Sequence, residues 1–425
     1  MKRFFRLFLA ACRTLWLGGL KLLALPWRWL MLLLGVTPPV DAPPTDTAST
    51  HEPPLARTAR KPAAPSPPHP DEAGTDIAPD RGSAAAPAAV AAHDVSATRR
   101  SGAFAELEPD ASLQAVRPAL GASTASPPGQ FTDGVFRNDA GQRDYKLYIP
   151  HAKPEGPVPL VVMLHGCKQD PGDFSTGTRM NRLADLQPFI VLYPAQARSA
   201  NGFGCWNWFN RHDQQRDAGE PSIIAGMVRE VMAEHPVDPR RVYVAGLSAG
   251  GGMATILAHT YPELLAAAGV HSGLPYSAAQ DMITALGVMK RGSSKRAAFA
   301  RAKPSVKSAG TKAGVPLIVF HGDHDKTVHP LNGEHVVEQA LGLGRDAKPH
   351  DRTRTVVKAG RVPGGHAYTR TLYSDRAGHV QVEHWLVQGS GHAWSGGDAK
   401  GSFTDPLGPD ASREMLRFFL ERSKG

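Results

Sequence analysis

Residues 241–254, "RVYVAGLSAGGGMA", decide the fold of this chain. The first six residues form a nearly continuous apolar run of strand length, which is typical of a parallel strand covered on both faces. Ser248 follows within Gly246-Leu247-Ser248-Ala249-Gly250, and a helix is predicted from near Gly251. Such a strand, sharp turn and helix would lift the Ser248 hydroxyl above the strand end. The five-residue pattern is weak in a glycine-rich chain, so its position after a strand carries the prediction.

Outward from this stretch, apolar runs of strand length alternate with helical patterns. The other buried-strand candidates are "PLVVML" (159–164), "FIVLYP" (189–194), "AAAGVHS" (266–272) and "VPLIVF" (315–320), with further strands at 368–374 and 380–388. Helical spacing is clearest at 220–234 and in the amphipathic stretch 412–422. This alternation predicts an α/β fold with a doubly wound, mostly parallel sheet. Before it, 131–150 has two alternating runs around an Asn-Asp-Ala-Gly turn, which predicts an N-terminal antiparallel hairpin.

Composition divides the 425 residues into three parts. Residues 1–36 are Leu-rich, with six basic residues and no acidic one, which is typical of a secretory signal or membrane-associating segment. Residues 37–130 hold 17 of the 37 prolines and one aromatic residue, so we expect a disordered tether. Residues 131–425 remain as one catalytic domain with a sizeable core.

Charge and cysteine content bear on partners and location. The first 36 residues carry six of the net +9 charges, so the rest of the chain is too weakly basic to indicate a nucleic-acid surface. The N-terminal segment predicts contact with a membrane surface and an extracellular or cell-envelope location. Cys167 and Cys205 form an even pair in the catalytic part, and the sequence leaves open whether they are a disulfide or two free thiols.

Ser248 needs a base and an acid that orients this base. After "VPLIVF", the loop "HGDHDKTVHP" offers Asp323 and Asp325, and after "QVEHWLVQ" the loop "GSGHAWSGG" offers His392. The order serine, acid, histidine is that of the α/β-hydrolase fold. An oxyanion hole is expected where "PLVVML" runs into His165-Gly166-Cys167, with a second donor at the N–H of Ala249.

The stretches "LHGC", "CWNWF", "GLSAGGGMA", "HGDHDKTV" and "GSGHAWSGG" together resemble the catalytic domain of the polyhydroxybutyrate depolymerase family of esterases, relatives of feruloyl and acetylxylan esterases. The resemblance runs over roughly 131–420 and implies Ser248 as nucleophile and His392 as base. It implies Asp325 as the acid, because the family's loop reads His-Gly-x-x-Asp, with Asp323 as the second candidate.

The same resemblance implies the rest of the site. The amides of Cys167 and Ala249 would form the oxyanion hole, and Trp206 and Trp394 would contact the substrate. The implied activity is a serine esterase that acts through an acyl-enzyme on short hydroxyalkanoate or related acyl esters, without metal or organic cofactor. Members that degrade solid polymer append a linker and a polymer-binding domain, whereas this chain ends soon after its final helix, so we expect soluble oligomers or small esters as substrates.

Several alternatives remain at this point. A feruloyl or acetyl polysaccharide esterase and a peptidase would use the same catalytic set. A metalloenzyme would use the His and Asp side chains of 321–329 as ligands, although no second ligand cluster stands out. A non-enzyme alternative is a hydrolase fold displayed by a membrane tether as a binding module.

Overall fold

The computed structural model describes residues 128–152, 155–293, 314–342 and 354–424. The predicted signal or membrane segment at 1–36 and nearly all of the predicted tether at 37–130 lie outside the described residues. Those two predictions and the domain boundaries therefore stay predictions. Within the described ranges, no helix combines the length and the hydropathy needed to cross a membrane.

A ten-stranded sheet is the centre of the described fold. Its strands are β1 (Gln130–Asn138), β2 (Gly141–Ile149), β3 (Val158–Leu164), β4 (Ile190–Pro194), β5 (Val237–Leu247), β6 (Ala267–His271), β7 (Leu317–Gly322), β8 (Arg354–Arg361), β9 (Ala367–Ser374) and β10 (Val380–Val387). They follow the order β1-β2-β4-β3-β5-β6-β7-β10-β9-β8. The six strands from β4 to β10 in this order pair in parallel, with antiparallel strands on either side. This confirms the predicted α/β-hydrolase fold.

The predicted N-terminal hairpin is also confirmed. Strands β1 and β2 pair antiparallel from Gln130↔Ile149 to Asn138↔Gly141, around the predicted turn. Strand β8 was not predicted. None of its eight side chains is buried, so its sequence lacks the continuous apolar run that marked the central strands. A short parallel pair, β11 (Trp394–Ser395) and β12 (Thr404–Asp405), lies outside the main sheet.

Helices cover both faces of the sheet. They are α1 (Pro171–Thr178), α2 (Met180–Leu186), α3 (Gly219–Glu234), α4 (Ala249–Thr260), α5 (Met282–Arg291), α6 (Leu331–Ala340) and α7 (Ala411–Leu420). Val242 and Val244 of β5 join a core with residues of α3 to α6, whereas Tyr243 and Ala245 join one with residues of α1, α2 and α7. Because alternate side chains enter opposite cores, this strand is apolar at consecutive positions.

The parallel pairing brings the predicted site residues to one edge. Strand β6 pairs with β5 and β7, and β7 pairs with β10, so the carboxyl ends of these four strands lie side by side. Ser248 follows β5, Asp325 follows β7 and His392 follows β10. In open α/β sheets, this carboxyl edge is where ligands bind.

Candidate active site

Ser248 occupies a strained turn between β5 and α4. Its backbone has φ +57° and ψ −117°, a conformation that L residues rarely adopt. A Cβ on Gly246 would lie 2.3 Å from the carbonyl carbon of Gly250, and one on Gly250 would lie 2.1 Å from the oxygen of Leu164. The flanking glycines are therefore required by the close approach of α4 to β5 and β3. The turn confirms the strand, sharp turn and helix predicted around Ser248.

Asp325 and His392 form a hydrogen-bonded pair. Nδ1–H of His392 donates to Oδ2 of Asp325 at 2.7 Å, and the Asp325 side chain is fully buried. Its other oxygen, Oδ1, accepts hydrogen bonds from the amides of Thr327 and Val328 at 2.9 and 2.8 Å. Burial alone would raise the pKa of the Asp325 carboxyl, but its interactions with His321 and His392 together hold this pKa well below the usual range. The Asp325 side chain is therefore a carboxylate whose hydrogen bonds fix its orientation towards His392.

Asp323, the second candidate for the acid, has a different position. Its Oδ1 accepts a hydrogen bond from the amide of Gly389 at 2.7 Å, and its own amide donates to the oxygen of Val387. These contacts hold the start of the loop that carries His392. Among the described hydrogen bonds, the imidazole of His392 therefore contacts Asp325, whereas Asp323 supports the loop that carries His392.

The structure brings Ser248 to the same sheet edge as His392 but forms no direct hydrogen bond between them. Among the hydrogen bonds of the described residues, the His392 ring bonds to Asp325. The Ser248 amide donates to the oxygen of His271 at 2.9 Å. Both the Ser248 and the His392 side chains are largely buried. Catalytic hydrogen bonds often tighten only when a substrate is bound, so the serine–histidine contact belongs to the proposal below.

The amides of Cys167 and Ala249 are the predicted oxyanion donors. Ala249 is the first residue of α4, so its N–H has no acceptor within the helix. Among the described turns, loops and caps, no backbone oxygen accepts a hydrogen bond from the Cys167 N–H. A Cβ on Gly166 would lie 3.6 Å from Cβ of Ser248, so the loop after β3 runs close beside the serine. The loop that carries the Cys167 amide thus lies beside Ser248, and the Ala249 amide adjoins Ser248 in the sequence; their role as oxyanion donors stays a prediction.

A disulfide joins Cys167 to Cys205. This resolves the question that the sequence left open. The bond ties the loop that carries the Cys167 amide to residues 201–209. The side chain of Gln169 reinforces this loop, because its Oε1 accepts from the Gly166 amide at 3.0 Å and its Nε2 donates to the oxygen of Ser402 at 3.0 Å.

Trp206 and Trp394 lie inside the protein. Both side chains are buried, although we expected them to contact the substrate. Trp206 packs against His165 with ring centroids 5.7 Å apart, and the Trp394 indole stacks on His271 and donates to Oγ of Ser412. We therefore assign both rings to the packing beneath the site, because neither exposes a surface that a substrate could contact.

His271 and Glu220 support the site and were missed in the sequence. Nε2 of His271 accepts from the Ser395 amide at 2.9 Å, and burial lowers the pKa of this imidazole to about 3, so the ring is neutral. The buried Glu220 carboxylate accepts from the amide and side chain of Asn207, both at 2.7 Å, and pairs with Arg143. A histidine ending an apolar strand was a usable signal for His271, whereas no local pattern marked Glu220.

The histidines and aspartates of 321–329 do not all face one point: His321 lies 3.5 Å from Asp325 in the interior, whereas others face solvent. Nε2–H of His321 donates to the oxygen of Val328 at 2.8 Å, whereas the side chain of His324 is largely exposed. Within the described residues, no group of three or more His, Cys, Asp or Glu side chains has an arrangement that would hold a metal ion.

Comparison with known proteins gives the chain a family. The family model "Esterase PHB depolymerase" matches residues 143–355, which include Ser248 and Asp325. Poly(3-hydroxyalkanoate) depolymerase C of Paucimonas lemoignei is 35% identical over 259 residues, which is 60% of this chain and 60% of the relative. A probable acetylxylan esterase A of Aspergillus fumigatus is 30% identical over 219 residues, which is 48% of this chain and 56% of the relative.

The chain therefore matches 56% to 60% of the length of these two curated relatives. Among solved structures, an acetyl xylan esterase from Aspergillus awamori has 22% identity and a TM-score of 0.49, covering 59% of this chain and 89% of that chain. The family match extends over half of the sequence and includes the strand, turn and helix around Ser248. The chain belongs to the esterase PHB depolymerase family.

Proposed function

We propose that this protein is a serine carboxylic ester hydrolase that acts through an acyl-enzyme on short hydroxyalkanoate esters, of the polyhydroxybutyrate type, or on related acyl esters. The observation that carries the proposal is the 2.7 Å hydrogen bond between His392 and the buried Asp325 carboxylate, at the sheet edge that also carries Ser248. Nδ1 of His392 is held by this bond, which leaves Nε2 to act as the base. Membership of a family of depolymerases and esterases supports the same reaction class.

In the first half of the reaction, Oγ of Ser248 attacks the ester carbonyl carbon while Nε2 of His392 takes the hydroxyl proton. The negative charge that develops on the carbonyl oxygen accepts hydrogen bonds from the amides of Cys167 and Ala249. Each of these donors is worth about 3 kcal/mol of transition-state stabilisation. His392 then returns the proton to the leaving alcohol oxygen, and the acyl group stays on Ser248.

In the second half, water replaces the alcohol. His392 takes a proton from water, the hydroxide attacks the acyl carbon, and the bond to Ser248 breaks as the serine oxygen regains its proton. Asp325 stays ionised throughout and stabilises the imidazolium that forms twice per cycle. The cycle consumes one ester bond and one water, and it needs no redox partner.

The test is Ser248→Ala in the full chain, with Ser222→Ala on α3 as the matched control. We expect Ser248→Ala to lower kcat on p-nitrophenyl butyrate on the order of 10⁴-fold and to abolish labelling by a fluorophosphonate. The Ser222→Ala variant should keep the wild-type kcat and should still be labelled by the fluorophosphonate. Near-normal turnover by Ser248→Ala would refute the assignment, and a folded wild type that neither turns over nor becomes labelled would favour the non-catalytic binding module.

The second candidate is a feruloyl or acetyl polysaccharide esterase, which the names of two relatives favour, the probable acetylxylan esterase A and a feruloyl esterase B of Neurospora crassa. A panel of hydroxybutyrate oligomers, feruloyl sugars, acetylated sugars and matched amides separates this candidate and the peptidase from the first. We expect the highest kcat/KM on the hydroxybutyrate oligomers. A preference for sugar esters or for amides would replace the proposed substrate but would keep the catalytic residues.

An extracellular or cell-envelope location, with residues 1–36 at a membrane surface, is part of the proposal. The Cys167–Cys205 disulfide supports it, because disulfides persist in oxidising compartments. Fractionation of cells that express the full chain would test the location. Recovery with reduced Cys167 and Cys205 in the cytosol would contradict it.

A further inference from the structure

Two exposed phenylalanines lie on loops that are hydrogen-bonded to segments of the proposed site. Phe203 is 36% exposed and Phe403 is 41% exposed, although both belong to loops that are tied to catalytic segments. Large apolar side chains beside a reaction centre are candidates for substrate contacts. The buried Trp206 and Trp394 leave the substrate surface without an assigned aromatic residue.

Phe203 borders the oxyanion side of the site. Its carbonyl oxygen accepts a hydrogen bond from the Lys168 amide at 2.8 Å, and Lys168 directly follows Cys167. The Cys167–Cys205 disulfide provides a second link between the two loops. The Phe203 amide donates to Oδ1 of Asn201 at 3.0 Å, which fixes the turn that presents the ring.

Phe403 borders the histidine side. Its carbonyl oxygen accepts from the Trp394 amide at 2.7 Å, and Trp394 lies two residues after His392. Gln169 connects the two sides, because its side chain donates to the oxygen of Ser402 and accepts from the Gly166 amide. The two phenylalanines therefore lie on loops that are tied to opposite sides of the proposed site, one to the Cys167 loop and one to the His392 loop.

The backbone at Phe403 gives an independent reason to assign a function to its ring. Its φ is +51°, in the left-handed region that glycine and asparagine occupy at low cost and bulky residues avoid. The neighbouring Ser402 is fixed, because its amide donates to Oδ1 of Asp173 at 2.8 Å. The loop thus holds an aromatic side chain in solvent at a strained position, and such strain is concentrated at ligand-binding sites.

We propose that Phe203 and Phe403 form an aromatic rim that binds the aliphatic part of the substrate, the methyl and methylene groups of successive hydroxyalkanoate units. This inference rests on the proposed function and names the residues that select its substrate. The rim contributes affinity by removing apolar surface from water, so its effect grows with the number of acyl units. A substrate with a two-carbon acyl group is too short to cover both rings.

The experiment uses Phe203→Ala and Phe403→Asn, separately and together, in the full chain. Asparagine tolerates a positive φ, so Phe403→Asn removes the ring without a backbone penalty. The matched control is Leu186→Ala, because Leu186 is 67% exposed and lies before the amino end of β4, at the opposite edge of the sheet. The readout is kcat/KM for the methyl ester of the 3-hydroxybutyrate trimer divided by kcat/KM for p-nitrophenyl acetate.

We expect this ratio to fall roughly tenfold in each single variant, through KM for the trimer, and to fall further in the double variant. Leu186→Ala should keep the wild-type ratio. An unchanged ratio in the double variant, with a wild type that hydrolyses both esters through Ser248, would overturn the rim and leave the proposed function intact. A wild type that hydrolyses neither ester would overturn the proposed function and the rim with it.

Discussion

The Asp325 carboxylate holds His392 with one oxygen and the backbone of its own loop with the other. Oδ2 lies 2.7 Å from Nδ1 of His392, while Oδ1 accepts from the amides of Thr327 and Val328. The carboxylate is therefore fixed in orientation before a substrate arrives. Such a preorganised acid fixes the tautomer of the imidazole, and a change of tautomer is among the most damaging single changes to this kind of site.

The two neighbouring acids give the first prediction. Asp325→Asn should lower kcat on the order of 10³ to 10⁴-fold, because an amide at this position no longer stabilises the imidazolium or fixes its tautomer. Asp323→Asn keeps an oxygen acceptor for the Gly389 amide and should stay within roughly tenfold of the wild type. Steady-state kinetics on p-nitrophenyl butyrate compares the two. The reverse ranking would transfer the catalytic role to Asp323.

The second prediction concerns the pH dependence of stability. Burial lowers the pKa of His271 to about 3, so the unfolded chain binds a proton below about pH 6.5 that the folded chain does not bind. Stability is therefore lost as pH falls from about 6.5 towards 3. Between about pH 6.5 and pH 5 this group alone costs about 1.6 kcal/mol of unfolding free energy. Urea unfolding of His271→Phe should show a correspondingly smaller loss over that interval.

His259 is the matched control for His271. Burial lowers its pKa to about 4, and its ring stacks on Tyr276 at 4.3 Å. His259→Phe should also flatten the pH dependence of stability but should leave kcat unchanged. His271→Phe should in addition lower kcat, because the Ser395 amide, three residues after His392, loses its acceptor. Equal kcat values for the two variants would show that His271 does not support the loop that carries His392.

The sequence predicted those parts of the fold and the site that depend on local chemistry and on the order of the strands. The turn around Ser248 was predictable from its flanking glycines, and the parallel order made it possible to expect Asp325 and His392 at the same edge. The position of Trp206 was not predictable in this way. An aromatic residue beside glycines and a catalytic motif has the same local pattern whether its ring faces a substrate or the core.

The missed residues act through long-range contacts. Gln169 contacts Ser402, which is 233 positions away in the sequence, and Ser395 contacts His271 across 124 positions. No periodicity or motif predicts such contacts, because they depend on how separate loops meet above the sheet. For the same reason, Phe203 and Phe403 gave no signal in the sequence, and only their exposure and the positive φ of Phe403 identify them.

The third prediction concerns the disulfide. Reduction, or Cys205→Ser, should lower the free energy of unfolding by about 3 to 4 kcal/mol, because the bond joins residues 38 positions apart. It should also lower kcat, because the loop that carries the Cys167 amide loses an anchor. Cys12→Ser controls for thiol chemistry and should match the wild type. Thermal unfolding and kinetics with and without reductant check this, and Cys205→Ser should be insensitive to the reductant.

The last prediction concerns the close approach of α4 to β3. Gly250→Ala would place a Cβ 2.1 Å from the Leu164 oxygen, so the start of α4 must move away from the loop that carries the Cys167 amide. We expect a loss of about 1 to 3 kcal/mol in unfolding free energy and about 10²-fold in kcat, because displacement separates the oxyanion donors. Gly156→Ala meets no atom within 4 Å and should change neither quantity. A Gly250→Ala variant with wild-type kcat would show that turnover does not depend on the position of the Ala249 amide, and would remove this amide from the mechanism.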